Sequence, residues 1–196
     1  GDLSTAVDHL PRGAYSEAAP ALIRVSAFSM LALTQAELGQ HDRSRKAAEE
    51  AMEIVETRSM HALPQIALAF TAFGQSQAAS GKLEEAMATL DHGLALRRKV
   101  PGLTPWPTMH HLLVMGRVAV MSGDPALGRQ LLDEAAAMIR RYPQGMTAMI
   151  ARLDTARKSL RESRNGELRS ERLTAREIDI LRKLATPQSL SQIASE

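Results

Sequence analysis

Few side chains in this sequence are suited to chemistry. His110-His111 is its only pair of adjacent histidines. Neighbours on a helix point about 100° apart, so the two rings cannot chelate one metal well. Surface or packing roles are expected for both, and no metal site. Two acidic pairs, Glu49-Glu50 and Glu84-Glu85, fall early on expected helices, where the helix dipole favours negative charge; no catalytic role is expected of either. There is no cysteine, hence no thiol nucleophile and no thiolate site. Neither a Gly-x-Ser-x-Gly elbow nor a Gly-x-x-x-x-Gly-Lys-Ser/Thr phosphate loop occurs. The ten methionines are expected to fill a core rather than form an adaptable surface. Trp106, flanked by Pro105 and Pro107, reads as a packed anchor or a stacking platform at a loop–helix junction. An enzyme is not expected.

The elements that carry these residues are helices. Of the 196 residues, 44% are apolar and only 3% aromatic, and Ala, Leu, Glu, Arg and Met, all good helix formers, dominate. No apolar run reaches membrane-spanning length, and the opening GDLSTAVDHL is not a signal peptide. A cytoplasmic protein is expected. Net charge is +2, distributed unevenly: residues 1–151 carry 14 Lys/Arg against 15 Asp/Glu, and residues 152–196 carry 10 against 7. A basic tail on a neutral body suits proximity to nucleic acid, and it also suits a solvated helix face.

Gly39, Gly81 and Gly123 stand 42 residues apart. Ala51, Gly93 and Ala135 keep the same spacing, as do Gly74 and Gly116, and Pro101 and Pro143. Such a period marks stacked units. Each unit reads as two antiparallel helices, the first at about 22–38, 64–80 and 107–121, the second at about 42–57, 83–98 and 125–141. In the second unit Phe70 and Phe73 should face Leu83, Met87, Leu90 and Leu94. A glycine inside a helix costs roughly 1 kcal/mol relative to Ala. Gly74 and Gly116 therefore imply close approach of the paired helix. Asp124 before Pro125 is a helix start. Residues 1–13 align with 81–93 and read as the second helix of an earlier unit, and 145–162 as an amphipathic helix capping the stack.

The units resemble tetratricopeptide repeats. Phe70, Phe73-Gly74, Gly81, Ala86, Leu90 and Gly93 follow that pattern, as do Leu112, Met115-Gly116, Gly123, Gly128, Leu132 and Ala135. The first unit is looser: Phe28, Leu31-Ala32, Gly39, Ser44, Ala48 and Ala51. Gln35, Gln77 and Ala119 replace the tyrosine often found in the first helix, and the period exceeds the usual ~34 residues. The resemblance implies an all-α superhelical stack of antiparallel helix pairs over 1–162, with first helices lining a concave groove. Ser29, Thr71, Gln75, His110, Leu113 and Arg117 align with groove positions. Thr71, Gln75, His110 and Arg117 could hydrogen-bond a sugar, a peptide or an acidic effector; a merely solvated groove face is the alternative.

Residues 163–172, with Asn165-Gly166, read as a linker. Beyond it Thr174 with Glu177, and Ser189 with Gln192, form capping boxes. Leu173, Thr174, Arg176, Glu177, Leu181, Leu184, Ala185, Ser189, Ile193 and Ala194 resemble the start of a LuxR-type helix-turn-helix, with Pro187 for the usual Gly and Gln192 for Glu. The resemblance implies that 173–196 is the N-terminal part of such a domain, its recognition helix following about five to ten residues after Glu196. The combination is similar to the large MalT-like regulators. That implies a DNA-binding parent, with ATP in a separate N-terminal domain and no cofactor in this stretch. The stretch itself is expected to sense a small-molecule effector or a protein partner in the repeat groove, and not to bind DNA specifically. Homo-oligomerisation is left open. A tetratricopeptide docking adaptor is the rival reading.

Overall fold

A computed structural model describes residues 3–100, 104–142, 144 and 146–170, with side chains as far as Glu162, those of Ser4 excepted. Among them are eight α-helices and no strand: α1 Leu3–Ala14, α2 Ala21–Glu37, α3 His41–Thr57, α4 Ala67–Ala79, α5 Leu83–Arg98, α6 Pro105–Met121, α7 Pro125–Arg141 and α8 Thr147–Ser170. A 3-10 turn at Pro64–Ile66 leads into α4. Residues 1–160 form one compact unit and 161–196 a second.

Helices α2/α3, α4/α5 and α6/α7 pair, each first helix also packs on the next, and α1 packs on α2. The turn within each pair has one construction. Gly39, Gly81 and Gly123 adopt φ of +73°, +80° and +82°, the left-handed region. The following residue's N–H reaches back to the carbonyl of Gln35, Gln77 or Ala119 at 2.9–3.0 Å, and the glycine N–H to that of Ala36, Ala78 or Val120. This is the Schellman closure, which occupies carbonyls that a helix end leaves unpaired. Asp124 caps α7, its carboxylate accepting from Leu127 N–H at 2.9 Å.

The interior glycines act as expected. A methyl on Gly74 would lie 2.7 Å from Leu90 Cγ, and one on Gly116 3.0 Å from Leu132. In the first unit both equivalent positions are alanine, Ala32 and Ala48, fully buried. The pairs thus trade volume: glycine opposite leucine twice, alanine with alanine once.

Buried side chains form two clusters. One runs from Ala14 to Ala72 with Leu96, and the other from Ala78 to Leu160. Helix α4 is buried around most of its circumference, at Ala67, Ala69, Phe70, Thr71, Ala72, Gly74, Ser76 and Ala78. It straddles both clusters. Phe70 and Phe73 group with the first cluster, and Leu83, Met87, Leu90 and Leu94 with the second. Met149, Leu153, Ala156 and Leu160 of α8 join the second cluster, at roughly 1.5–3 kcal/mol per fully buried large apolar side chain.

Some boundaries differ from the sequence expectation. Helix α8 runs on to Ser170, so 163–170 is helical and Asn165-Gly166 does not end it. Arg, Glu and Leu around that dipeptide favour helix, and extending a formed helix needs no new nucleus. Trp106 lies in the first turn of α6, whose Pro105 start suits a helix N-terminus. Glu84 and Glu85 occupy the first turn of α5, whereas Glu49 and Glu50 lie mid-way along α3, where Glu49 pairs with Arg45 at 3.5 Å. The helix-turn-helix positions from Leu173 to Ala194, including Thr174, Arg176, Glu177, Leu181, Leu184, Ser189 and Ile193, lie outside the described residues.

Candidate binding cleft

The 42-residue register sorts the groove positions into rows. Ser29, Thr71 and Leu113 share one row and are all buried. Ser29 Oγ donates to Val25 O at 2.6 Å, and Thr71 Oγ1 lies 3.2 Å from the equivalent Ala67 O. These two hydroxyls belong to the interior and are not presented to a groove ligand. One turn later come Leu33, Gln75 and Arg117: buried, half-buried and exposed in that order. The helix face that meets solvent is therefore one turn nearer the C-terminal end than Ser29 and Thr71.

Gln75, His110, Leu113 and Arg117 come together in a cleft of about 300 Å³, bounded also by Glu37 of α2 and Arg152 of α8. Val114, Ala151 and Thr155 complete much of its wall. Arg152 forms an ion pair with Glu37, linking the first repeat to α8, and both side chains are less than a third exposed. A second depression of about 310 Å³ shares Glu37, Gln75 and Arg117 and extends toward His41, Arg45 and Met121. Trp106 and Met30 line a smaller recess beside Glu37, His110 and Arg152.

The histidine neighbours do different work. His110 is buried against the cleft, and its pKa is lowered to about 3, first by burial, then by Arg152, His111 and Arg117. It is neutral at physiological pH. His111 points inward between repeats. Its Nε2–H donates to Leu90 O at 2.7 Å, and its Nδ1 accepts from Thr71 Oγ1 at 2.7 Å. Burial lowers its pKa to about 4, against a rise from the Leu90 hydrogen bond. Gly93 makes room for this ring: a methyl there would sit 2.8 Å from His111 Cε1 and from Phe70 Cβ.

Two polar groups in the cleft wall lack protein partners among the described residues. Gln75 Oε1 is buried without a hydrogen bond, and Arg117 makes no ion pair. No three His, Asp or Glu side chains among the described residues converge as a metal site would require. The cleft offers one free guanidinium, one shared guanidinium, one carboxylate, a neutral imidazole and an amide. Such a set is suited to hydrogen bonding and charge pairing.

Sequence reasoning missed Glu37, Arg152 and Thr155. The repeat itself held the signal for two of them. Arg152 is 42 residues after His110 and Thr155 is 42 after Leu113, so α8 continues the register as the first helix of a further unit.

No protein-family model matches the sequence, and no curated protein does. Solved structures do. BtubC (BKLC) of P. vanneervenii superposes with a TM-score of 0.57 at 14% identity, over 95% of this chain and 74% of that one. A kinesin-light-chain candidate from Podospora anserina, with nearly identical tetratricopeptide-like repeats, superposes with a TM-score of 0.50 at 16% identity, over 87% and 90% of the two chains. The fold is a tetratricopeptide-like helical repeat. No helix among the described residues is long and apolar enough to cross a membrane.

Proposed function

We propose that this chain is the sensing part of a LuxR-type transcriptional regulator: a non-catalytic helical-repeat module whose cleft binds an effector and thereby biases the DNA-binding state of the longer protein. The observation that carries the sensing role is the cleft, where Gln75 and Arg117 stand without protein partners beside the Glu37–Arg152 pair. The regulatory role rests on the LuxR-type spacing from Leu173 to Ala194. A ligand that prefers one state shifts the population toward it by its differential affinity.

Thermal unfolding against a panel of sugars, nucleotides and small metabolites tests the sensing role. A dose-dependent rise in Tm is expected, since a ligand selective for the native state stabilises it by mass action. No rise across the panel would move the assignment to a protein-docking adaptor, the second reading, which the repeat fold favours. The coding sequence after Glu196 tests the regulatory role. It should encode a basic recognition helix within about ten residues; a frame without one would overturn it.

A further inference from the structure

We propose that the cleft between α2, α4, α6 and α8 takes a small aliphatic carboxylate with a neighbouring hydroxyl or ammonium group, its anion held by Arg117 and Arg152 in competition with Glu37. The proposal rests on the cleft being the recognition site and specifies the ligand class.

The charge inventory gives the first argument. With His110 neutral, the cleft wall carries Arg117 and Arg152 against Glu37, an excess of one positive charge. A hydroxy acid cancels it as a monoanion, whereas an amino acid, a zwitterion, would also need its ammonium group set against Glu37. Both guanidiniums line the same cleft as the His110 ring. A planar guanidinium suits a carboxylate because it can donate two parallel hydrogen bonds. Arg117 is exposed and makes no ion pair among the described residues, so an anion displaces no partner from it. Arg152 is held by Glu37. An incoming carboxylate would share or take over that guanidinium, loosening the ion pair between α2 and α8.

The remaining groups define the rest of the molecule. Gln75 Oε1 is a buried acceptor with no donor among the described residues. Leaving such a group unpaired is costly, and because Gln75 lines the cleft, turning its amide toward a ligand O–H or N–H removes the cost. Leu113, Val114 and Ala151 supply an apolar wall suited to a short hydrocarbon tail. At about 300 Å³ the cleft lies at the small end of ligand pockets, a volume for a small metabolite.

A matched series separates these demands by isothermal titration calorimetry on the chain as it stands: 2-hydroxyisovalerate, valine, isovalerate, and the uncharged 2-hydroxyisovaleramide. The hydroxy acid or the amino acid should bind about tenfold or more tightly than the amide. Whichever of the two wins identifies hydroxyl or ammonium as the donor. Isovalerate should fall between, and Gln75→Ala should erase the advantage of the better acid over it. Arg117→Gln, at an exposed unpaired position, should lose about tenfold without loss of helicity. Glu37→Gln frees Arg152 and should tighten acid binding, whereas Arg152→Gln should weaken it. The proposal is overturned if no acid binds at about 10 mM, if the amide binds as tightly as the acids, or if Glu37→Gln weakens binding while the fold persists. A neutral sugar raising Tm independently of Arg117 would discard the ligand class and leave the sensing role standing.

Discussion

His111 shows how one buried residue couples three helices. It stands on α6, accepts from Thr71 of α4 and donates to the Leu90 carbonyl of α5. The ring is neutral in this arrangement, and burial keeps it so. Both buried histidines have folded-state pKa values below the ordinary 6.5, about 3 for His110 and about 4 for His111. Their neighbours add to the effect: Arg152 and Arg117 face His110, and Arg97 and Arg98 act on His111. The unfolded chain therefore binds more protons than the folded one below pH ~6.5, and stability falls with falling pH. The contribution is complete above the unfolded pKa and is lost as pH descends toward the folded values. At pH 5 each histidine accounts for about 2 kcal/mol of lost stability, as an upper figure. Urea unfolding at pH 7.5 and pH 5 measures it, with the His110→Gln/His111→Gln variant as control. A wild-type unfolding free energy equal at the two pH values would refute this account. None of this was visible in the dipeptide. Which of two adjacent histidines turns inward depends on helix phase, and Gly93, the residue that admits the ring, sits on another helix.

At the scale of elements the sequence was far more legible. Glycines that terminate helices leave a fixed spacing, and the spacing located all six paired helices within a few residues. Two kinds of glycine carry that pattern, and they should respond differently to alanine. Gly81 adopts φ +80°, and an added methyl there would meet nothing within 4 Å, so Gly81→Ala costs backbone strain alone, about 1–2 kcal/mol. Gly74→Ala instead drives a methyl against Leu90, which has no room to withdraw, and overpacking costs about 1–3 kcal/mol against a propensity gain of about 1. The first unit suggests its remedy, since Ala32 and Ala48 occupy the equivalent positions. Leu90→Ala alone should cost about 2–5 kcal/mol. In the Gly74→Ala background it should cost at least about 1 kcal/mol less, read as coupling in a double-mutant cycle. Additive effects would mean that the two positions do not share a packing site. The end of α8 was less legible because Asn165-Gly166 is a turn signal only where the chain is free to turn, and here the dipeptide continues a helix already formed over Thr147–Leu160.

The compact unit ends where the apolar stripe of α8 ends. Met149, Leu153, Ala156 and Leu160 recur at helical spacing and close the second cluster, and the unit boundary falls at Leu160. A repeat stack is stabilised between neighbours, so its last helix covers a face that would otherwise meet water. Deleting the chain from Thr147 onward should expose the part of the second cluster that Met149, Leu153, Ala156 and Leu160 now cover. It also removes Arg152 from Glu37 and Arg157 from its 2.7 Å contact with Asp133. Partly exposed ion pairs contribute about 1 kcal/mol or less each, so burial dominates the loss. A chain ending at Glu162 retains the whole stripe and should remain monomeric if the stack is self-sufficient, with a Tm within a few degrees of the full chain. The chain ending at Met146 should self-associate on size exclusion and melt earlier. Equal behaviour of the two truncations would show that α8 is not the cover.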